Sequence, residues 1–453
     1  MKLKTLFTGA MAVAIASAAQ AAPSAQDVEN SFYPYKNSVP SFPGYSAGMT
    51  INSANVDQFK DIIDPVLFDH IKQGWFEMST TATTSFDLHP NYVQASAEGD
   101  VSLGERLGDI NNWKAGRPFL AEPSTDDPRA GEKLAWNYKY GYNWGDAAVI
   151  KPFYWKVRKL DTGEVTRSLT FNFSFMNFKG RVNQAPTPEI LPNKKDYFRK
   201  IYVQVIDPFD VKNTQLLIQR NIDDRAADDS FLNLSFQRRN RRLATGQITD
   251  AFLGTNLMIE DFEGYNGRVS DMQWKFLGAQ DMLVPFFNHN DLTNLDQETH
   301  TVDPNTGQED DFRVTAMGGQ GGCYPQVQWQ LRKVYAVETN PITTEGDLNT
   351  AHPVGKRVHY IDAQTFTIPR TNIYDRAGNL WKTFIISQAH PDHHLPANKG
   401  SGVSIDDGVT MIDVQAQQCT TAQFKGQAQF AEGDRNMPDP REFTTQNMRQ
   451  QAK

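Results

Sequence analysis

From Val358 to Ile386 the chain runs through three stretches rich in Ile, Thr, Phe, Tyr and Trp, broken at Asp362-Ala363-Gln364-Thr365 and again at Asp375-Arg376-Ala377-Gly378. β-Branched and aromatic side chains fit a pleated surface, and Asp and Gly suit tight turns, so this pattern specifies an antiparallel meander. A second hairpin lies between Phe153 and Phe178. Trp155, Val157 and Lys159 alternate with polar partners, Asp161-Thr162-Gly163 makes the turn, and Leu169, Phe171, Phe173 and Phe175 line one face of the return strand. Thr170, Asn172 and Ser174 are then expected to face water or a polar lumen. Burial of each large apolar side chain contributes about 1.5–3 kcal/mol, so this face demands a covering. The same alternation serves a packed core or the wall of a ligand cavity.

The first residues carry Lys2 and Lys4, an apolar run from Leu6 to Ala16, and a small-residue end at Ala19-Gln20-Ala21. That is the order of a secretory signal peptide, with cleavage expected after Ala21. No cysteine follows that site, so a lipid anchor is not indicated, and no second apolar run approaches the ~18 residues that span a bilayer. The mature chain is expected in a bacterial periplasm. Two cysteines are present, Cys323 and Cys419. In an oxidising compartment an isolated pair is expected to join, closing a loop worth up to about 4–5 kcal/mol in the chain-entropy picture; the alternative is two buried thiols. The formal charge of -8 argues against a nucleic-acid or anionic-membrane binder.

Residues 22–48 read as an extended arm. Asn55 is placed to cap a helix, Phe59, Ile62 and Ile63 share a face, and Pro65 opens a second helix that Gly74 stops. These two are lid candidates or ordinary core helices. Trp75–Asp87 alternates as a strand, and the segment from Gly99 to Arg129 reads as a long surface excursion. Further strands are expected over Lys200–Ile206, Thr214–Arg220, Met272–Leu277, Gln326–Val337 and Met411–Gln415, with 291–310 a loop and 431–453 a polar tail that frays.

The sequence also has a familiar wording. Asp126-Asp127-Pro128-Arg129-Ala130-Gly131-Glu132-Lys133-Leu134-Ala135-Trp136-Asn137 is similar to a recurrent signature of the exported domain-of-unknown-function 1329 family. The arginine cluster at 238, 239, 241 and 242, followed by Asp250-Ala251-Phe252-Leu253-Gly254-Thr255 and Glu260-Asp261-Phe262, resembles the same family and the outer-membrane lipoprotein-sorting group of LolA and LolB. So does the Val358–Ile386 meander, with Asp, Pro-Arg, Tyr-Asp and Gly at its joints. Ser235-Phe236-Gln237 departs from the family's commoner Pro and Tyr before the arginines. The resemblance implies an α+β fold: one large, curved antiparallel sheet, an unclosed β-barrel, with a few covering helices over residues 49–430. It implies a carrier of hydrophobic molecules, with an inner-membrane transporter of the resistance-nodulation-division class, an outer-membrane barrel or lipoproteins as partners.

On that reading Trp155, Leu169, Phe171, Phe173 and Phe175 form the ligand-binding wall, and Arg238 and Arg242, which share a strand face, stand at its rim. The plainer alternative for the arginines is ion pairing with Glu260, Asp261 and other sheet carboxylates. Chemistry-bearing motifs are sparse. There is no Gly-x-Ser-x-Gly elbow, and Gly318-Gly319-Gln320-Gly321-Gly322 lacks the Lys-Ser/Thr ending of a phosphate loop, so it reads as a tight bend or close backbone approach. His390, Asp392, His393 and His394 are the one metal-like group, but adjacent side chains in a loop point apart and a zinc site needs three or four converging ligands. A metal-dependent hydrolase therefore ranks third. No cofactor is expected, and the function expected is a soluble periplasmic carrier of an acyl lipid, lipoprotein acyl chain or apolar metabolite. The second reading is a periplasmic scaffold or accessory subunit of a membrane transport complex.

Overall fold

A computed structural model describes residues 23–234, 239–243, 248–303, 306–342 and 352–451. The Phe-rich hairpin is its centre: β1 (Ala147–Lys159) and β2 (Val165–Asn177) pair antiparallel, placing Phe153 opposite Phe171 and Trp155 opposite Leu169. To one side follow β3 (Tyr197–Asp207), β4 (Gln215–Asn221) and β5 (Asp229–Asn233). The remaining long strands are β6 (Met272–Val284), β7 (Gln328–Pro341), β8 (Val354–Asp362), β9 (Arg370–Asp375), β10 (Leu380–Ala389), β11 (Ile405–Asp413) and β12 (Gln418–Gln427). They pair antiparallel in chain order from β6 to β12, and β12 joins β1, so these strands form one sheet in the order β6 to β12 and then β1 to β5. With its short edge strands the sheet counts 16, and the order does not return on itself among the described residues. This is the expected unclosed antiparallel sheet.

The meander's turns work through their aspartates. Asp362 Oδ1 accepts from the backbone N–H groups of Gln364 (3.0 Å) and Thr365 (2.9 Å), and Asp375 Oδ1 accepts from those of Ala377 and Asn379 (both 2.9 Å). The same residues tie layers together. Asp362 holds Arg332 of β7 at 2.6 Å, and Arg370 reaches Asp64, the N-cap of α2 (Pro65–Lys72), at 3.0 Å. All four charges are fully buried, so each needs its partner.

Alternation gives the sheet two covered faces. One carries Phe153, Trp155, Leu169, Phe171, Phe173, Phe175, Val203, Phe384, Ile386, Met411 and Phe424, with Phe32 of α1 (Ala25–Phe32) and Tyr92 of α3 (Pro90–Ala97) packed against it. The other carries Ile385, Ile412 and Cys419, and there α2 and the 3-10 turn Val56–Ile62 bury Leu67, Phe68, Ile71 and Phe59. The helices around residues 55–73 are thus core helices on the face away from the Phe-rich wall. Helix α4 (Ala130–Lys139) lies on β6 and β7; a Cβ at Gly131 would meet the Trp274 carbonyl at 2.5 Å, so only glycine allows that approach. The glycine-rich bend does likewise, since a Cβ on Gly321 would lie 2.6 Å from the Leu160 carbonyl. Cys323 and Cys419 are bonded, with Cα atoms 6.0 Å apart, tethering this bend to β12.

Four expectations are corrected. The arm at 22–48 contains α1, whose Ser24 and Asp27 form a reciprocal cap and whose Phe32 is wholly buried. The tail expected to fray over 431–453 is anchored in its described residues, 431–451: Phe443 and Met448 are wholly buried, and Gln215 donates to the Met448 carbonyl at 3.0 Å from beneath α5 (Thr445–Gln451). Two apolar residues in a polar stretch suffice when they meet a sheet face. Within 291–310 the expected loop is largely a hairpin, Leu295–Val302 with Glu309–Thr315, whose polar alternation suits an exposed ribbon. The Trp75–Asp87 strand shrinks to Met78–Thr80, which runs parallel to Gln328–Trp329.

Candidate ligand-binding site

Between the Phe-rich wall and the segment at 250–264 lies a cavity of about 60 Å³. The sheet supplies Trp155, Phe171, Phe173, Phe384, Ile386 and Phe424; the segment supplies Phe252, Leu257 and Phe262, which act as a plug. The rings meet edge to face: Trp155 and Phe171 at 5.0 Å, Phe252 and Phe262 at 5.6 Å, Trp155 and Phe262 at 6.0 Å. Of the residues expected in the wall, Trp155, Phe171 and Phe173 line the cavity, while Leu169 and Phe175 extend the same apolar cluster. Arg242 instead forms a surface ion pair with Asp229 at 2.5 Å, its side chain 63% exposed. Arg238 lies outside the described residues.

Short 3-10 turns, Phe252–Gly254 and Ile259–Gly264, shape the plug. It contains two non-glycine residues in the left-handed region, Leu253 (φ 50°) and Glu263 (φ 59°), a conformation that costs of order 1–3 kcal/mol per residue and persists only where surroundings impose it. Next to Glu263, the segment is held by a buried ionic clamp. Arg357 of β8 donates to Glu260 at 2.7 Å and to Asp261 at 3.2 Å, and His352 meets Glu260 at 3.1 Å. Burial alone would raise the Glu260 carboxyl, but Arg357 and His352 outweigh it and hold it down at about 2. Tyr138 of α4 adds a hydrogen bond to the Glu263 carbonyl at 2.7 Å.

Two carboxyls interrupt the apolar lining. Asp406 accepts from Gln388 Nε2 (3.1 Å) and Trp144 Nε1 (3.3 Å); burial pushes its pKa up to about 7, with Glu263 adding to the rise. Glu263 pairs through Oε2 with Arg199 Nη1 at 3.1 Å.

The histidine loop divides. His390 Nδ1 accepts from the Asp392 backbone N–H at 3.2 Å, and Asp392 accepts from that of Gly400 at 2.7 Å, so these residues cap a turn. His394 turns to a buried group with His289 and Asp407 whose potential ligand atoms lie within 4.8 Å of one another. Asn398 is oriented by donating to the Gly426 carbonyl (2.9 Å) and accepting from Ala428 N–H (3.0 Å), so its amide N–H faces His394 Nδ1 and places that ring's proton on Nε2. His289 Nδ1 bonds Asp407 directly while the Arg313 backbone takes the other nitrogen, and despite burial Asp407 raises the His289 pKa. His394 Nε2 lies 3.6 Å from Asp407 and is buried without a hydrogen-bond partner among the described residues.

A family model described as "Protein of unknown function (DUF1329)" matches residues 50–449. The chain belongs to the DUF1329 family. The uncharacterized protein PA3922 of Pseudomonas aeruginosa is 23% identical over 376 residues, 80% of this chain and 71% of its own length. Among solved structures, a domain of Vibrio parahaemolyticus assigned to outer membrane lipoprotein sorting shares 15% identity over 71% of this chain and 100% of its own, with a TM-score of 0.45. A DUF1329 protein of Desulfovibrio piger shares 13% identity over 72% of this chain and 100% of its own, also at 0.45.

In this DUF1329 chain the sequence marked residues 250–255 and 260–262 as a motif but not as a cavity wall, and Asp406 and the Phe384–Ile386 wall escaped sequence reasoning. The alternation in Phe384-Ile385-Ile386 was visible, but both faces are apolar, so periodicity could not say which meets the cavity. For the plug, three apolar residues within irregular backbone carry no periodic signal at all.

Proposed function

We propose that this protein is an exported, non-catalytic carrier that shelters an apolar molecule between the Phe-rich wall and the plug. The observation that carries the reading is an aromatic cavity whose second wall is an irregular, conformationally strained segment rather than a strand. A cavity of about 60 Å³ is far below the roughly 300–1,000 Å³ of small-molecule sites. Cargo therefore takes the place of Phe252, Leu257 and Phe262, and the plug withdraws to admit it. The Cys323–Cys419 bond supports residence in an oxidising compartment such as the periplasm, and among the described residues no helix is long and apolar enough to cross a membrane. An inner-membrane transporter, an outer-membrane barrel or lipoproteins are the proposed exchange partners.

The small cavity also favours a second reading, a scaffold with a filled interior that docks a membrane complex. Native mass spectrometry of protein purified from the periplasm, followed by organic extraction, separates the two. Near-stoichiometric acyl lipid or apolar metabolite is expected. An empty protein that also takes up no fluorescent apolar probe overturns the carrier in favour of the scaffold.

A further inference from the structure

The cavity is not uniformly greasy, and its exceptions define a ligand. Glu263 Oε1 is buried and has no hydrogen-bond partner among the described residues, although Oε2 is paired with Arg199. A buried carboxylate oxygen left without a donor forfeits the hydrogen bond water would have made. Trp155 Nε1, in the same cavity, is likewise buried without an acceptor. Asp406 has both oxygens engaged as acceptors. The residues lining the cavity therefore include one with an open acceptor, Glu263, which also borders the polar pocket around Arg199 and Tyr138, and one with an open donor, Trp155.

We propose that the cargo is an apolar molecule with an uncharged hydroxyl head, which donates to Glu263 Oε1, and that anionic heads are excluded. This rests on the carrier reading and narrows it. Arg199 already balances the Glu263 charge, so the missing partner is a donor and not a second cation. A carboxylate head would stand against Glu263 and Asp406 together, and like charges placed side by side in a site of low polarity discriminate strongly. The open Trp155 N–H would be met by an oxygen carried further along the ligand, a group that a plain hydrocarbon lacks.

The test is displacement of the neutral probe N-phenyl-1-naphthylamine from full-length mature protein at pH 8 by dodecanol, dodecanoate and dodecylamine. Dodecanol is expected to displace at roughly tenfold lower concentration than dodecanoate, with dodecylamine weaker than the alcohol. In Glu263→Gln, and separately in Asp406→Asn, the gap between alcohol and carboxylate should narrow to about threefold or less. Should Glu263→Gln fail to fold, Asp406→Asn and the wild-type series still decide. Equal or stronger displacement by dodecanoate, stronger displacement by the amine, or a gap unchanged in the variants overturns the assignment. If the probe itself does not bind, the carrier reading fails and this one with it; if it binds and the heads are not distinguished, only the hydroxyl assignment fails.

Discussion

Asp406 and Asp407 are consecutive on β11, so their side chains leave opposite faces of the sheet and meet opposite fates. Asp407 faces His289 and His394 and accepts from Thr315 Oγ1 at 2.9 Å, and its carboxyl is held low despite burial. Asp406 meets the cavity, where burial raises it to about 7. The folded state thus holds the Asp406 proton more tightly than the unfolded chain does. Its stabilising contribution is complete below about 4 and is lost as pH rises through about 7. Asp406→Asn should therefore be more stable than the parent at pH 8 by about 3 kcal/mol, after allowing about 1 kcal/mol for a disturbed hydrogen bond, and no more stable at pH 4; urea midpoints at the two pH values measure this. Asp407→Asn should behave oppositely, losing about 1–3 kcal/mol at pH 6, because the carboxylate that holds the His289 proton is gone and the buried ring goes neutral with its hydrogen bond lost. Neither role was legible in the sequence, where Asp406-Asp407 is an acidic pair like Asp223-Asp224. Only the strand's two neighbours tell them apart.

Among the elements, the regular strands were legible and the plug was not. The meander and the Phe-rich hairpin announce themselves by alternation and turn chemistry, which are local properties of a few consecutive residues. The segment at 250–264 is held instead by Arg357, about a hundred positions away in sequence, through a clamp no local pattern encodes. Arg357→Met removes the cation and leaves Glu260 and Asp261 buried without it. The expected result is a loss of about 3–5 kcal/mol in urea unfolding, together with faster amide hydrogen exchange over Met258–Gly264 than in β1 and β2. Exchange rising equally in the sheet would mean that the clamp holds the whole fold and not the plug.

For the whole molecule, the tether between Cys323 and Cys419 spans a sequence separation of 96 and joins the glycine-rich bend to β12. Free-thiol titration of the unfolded, unreduced protein should find none, and reduction should lower stability by up to about 4–5 kcal/mol, read as a shift in Tm. The positions of the long strands and the apolar face of β2 were determined by the sequence itself, because alternation and turn residues act over short distances and survive without knowledge of partners, while the large unclosed sheet was what the family resemblance implied. Which apolar face became a cavity wall, which helices covered the opposite face, where His394 and Asp406 went, and how the polar tail was anchored were decided only in three dimensions. Those outcomes depend on which distant side chains share a desolvated space, and a buried charge or ring takes its role from whatever stands within a few ångströms of it.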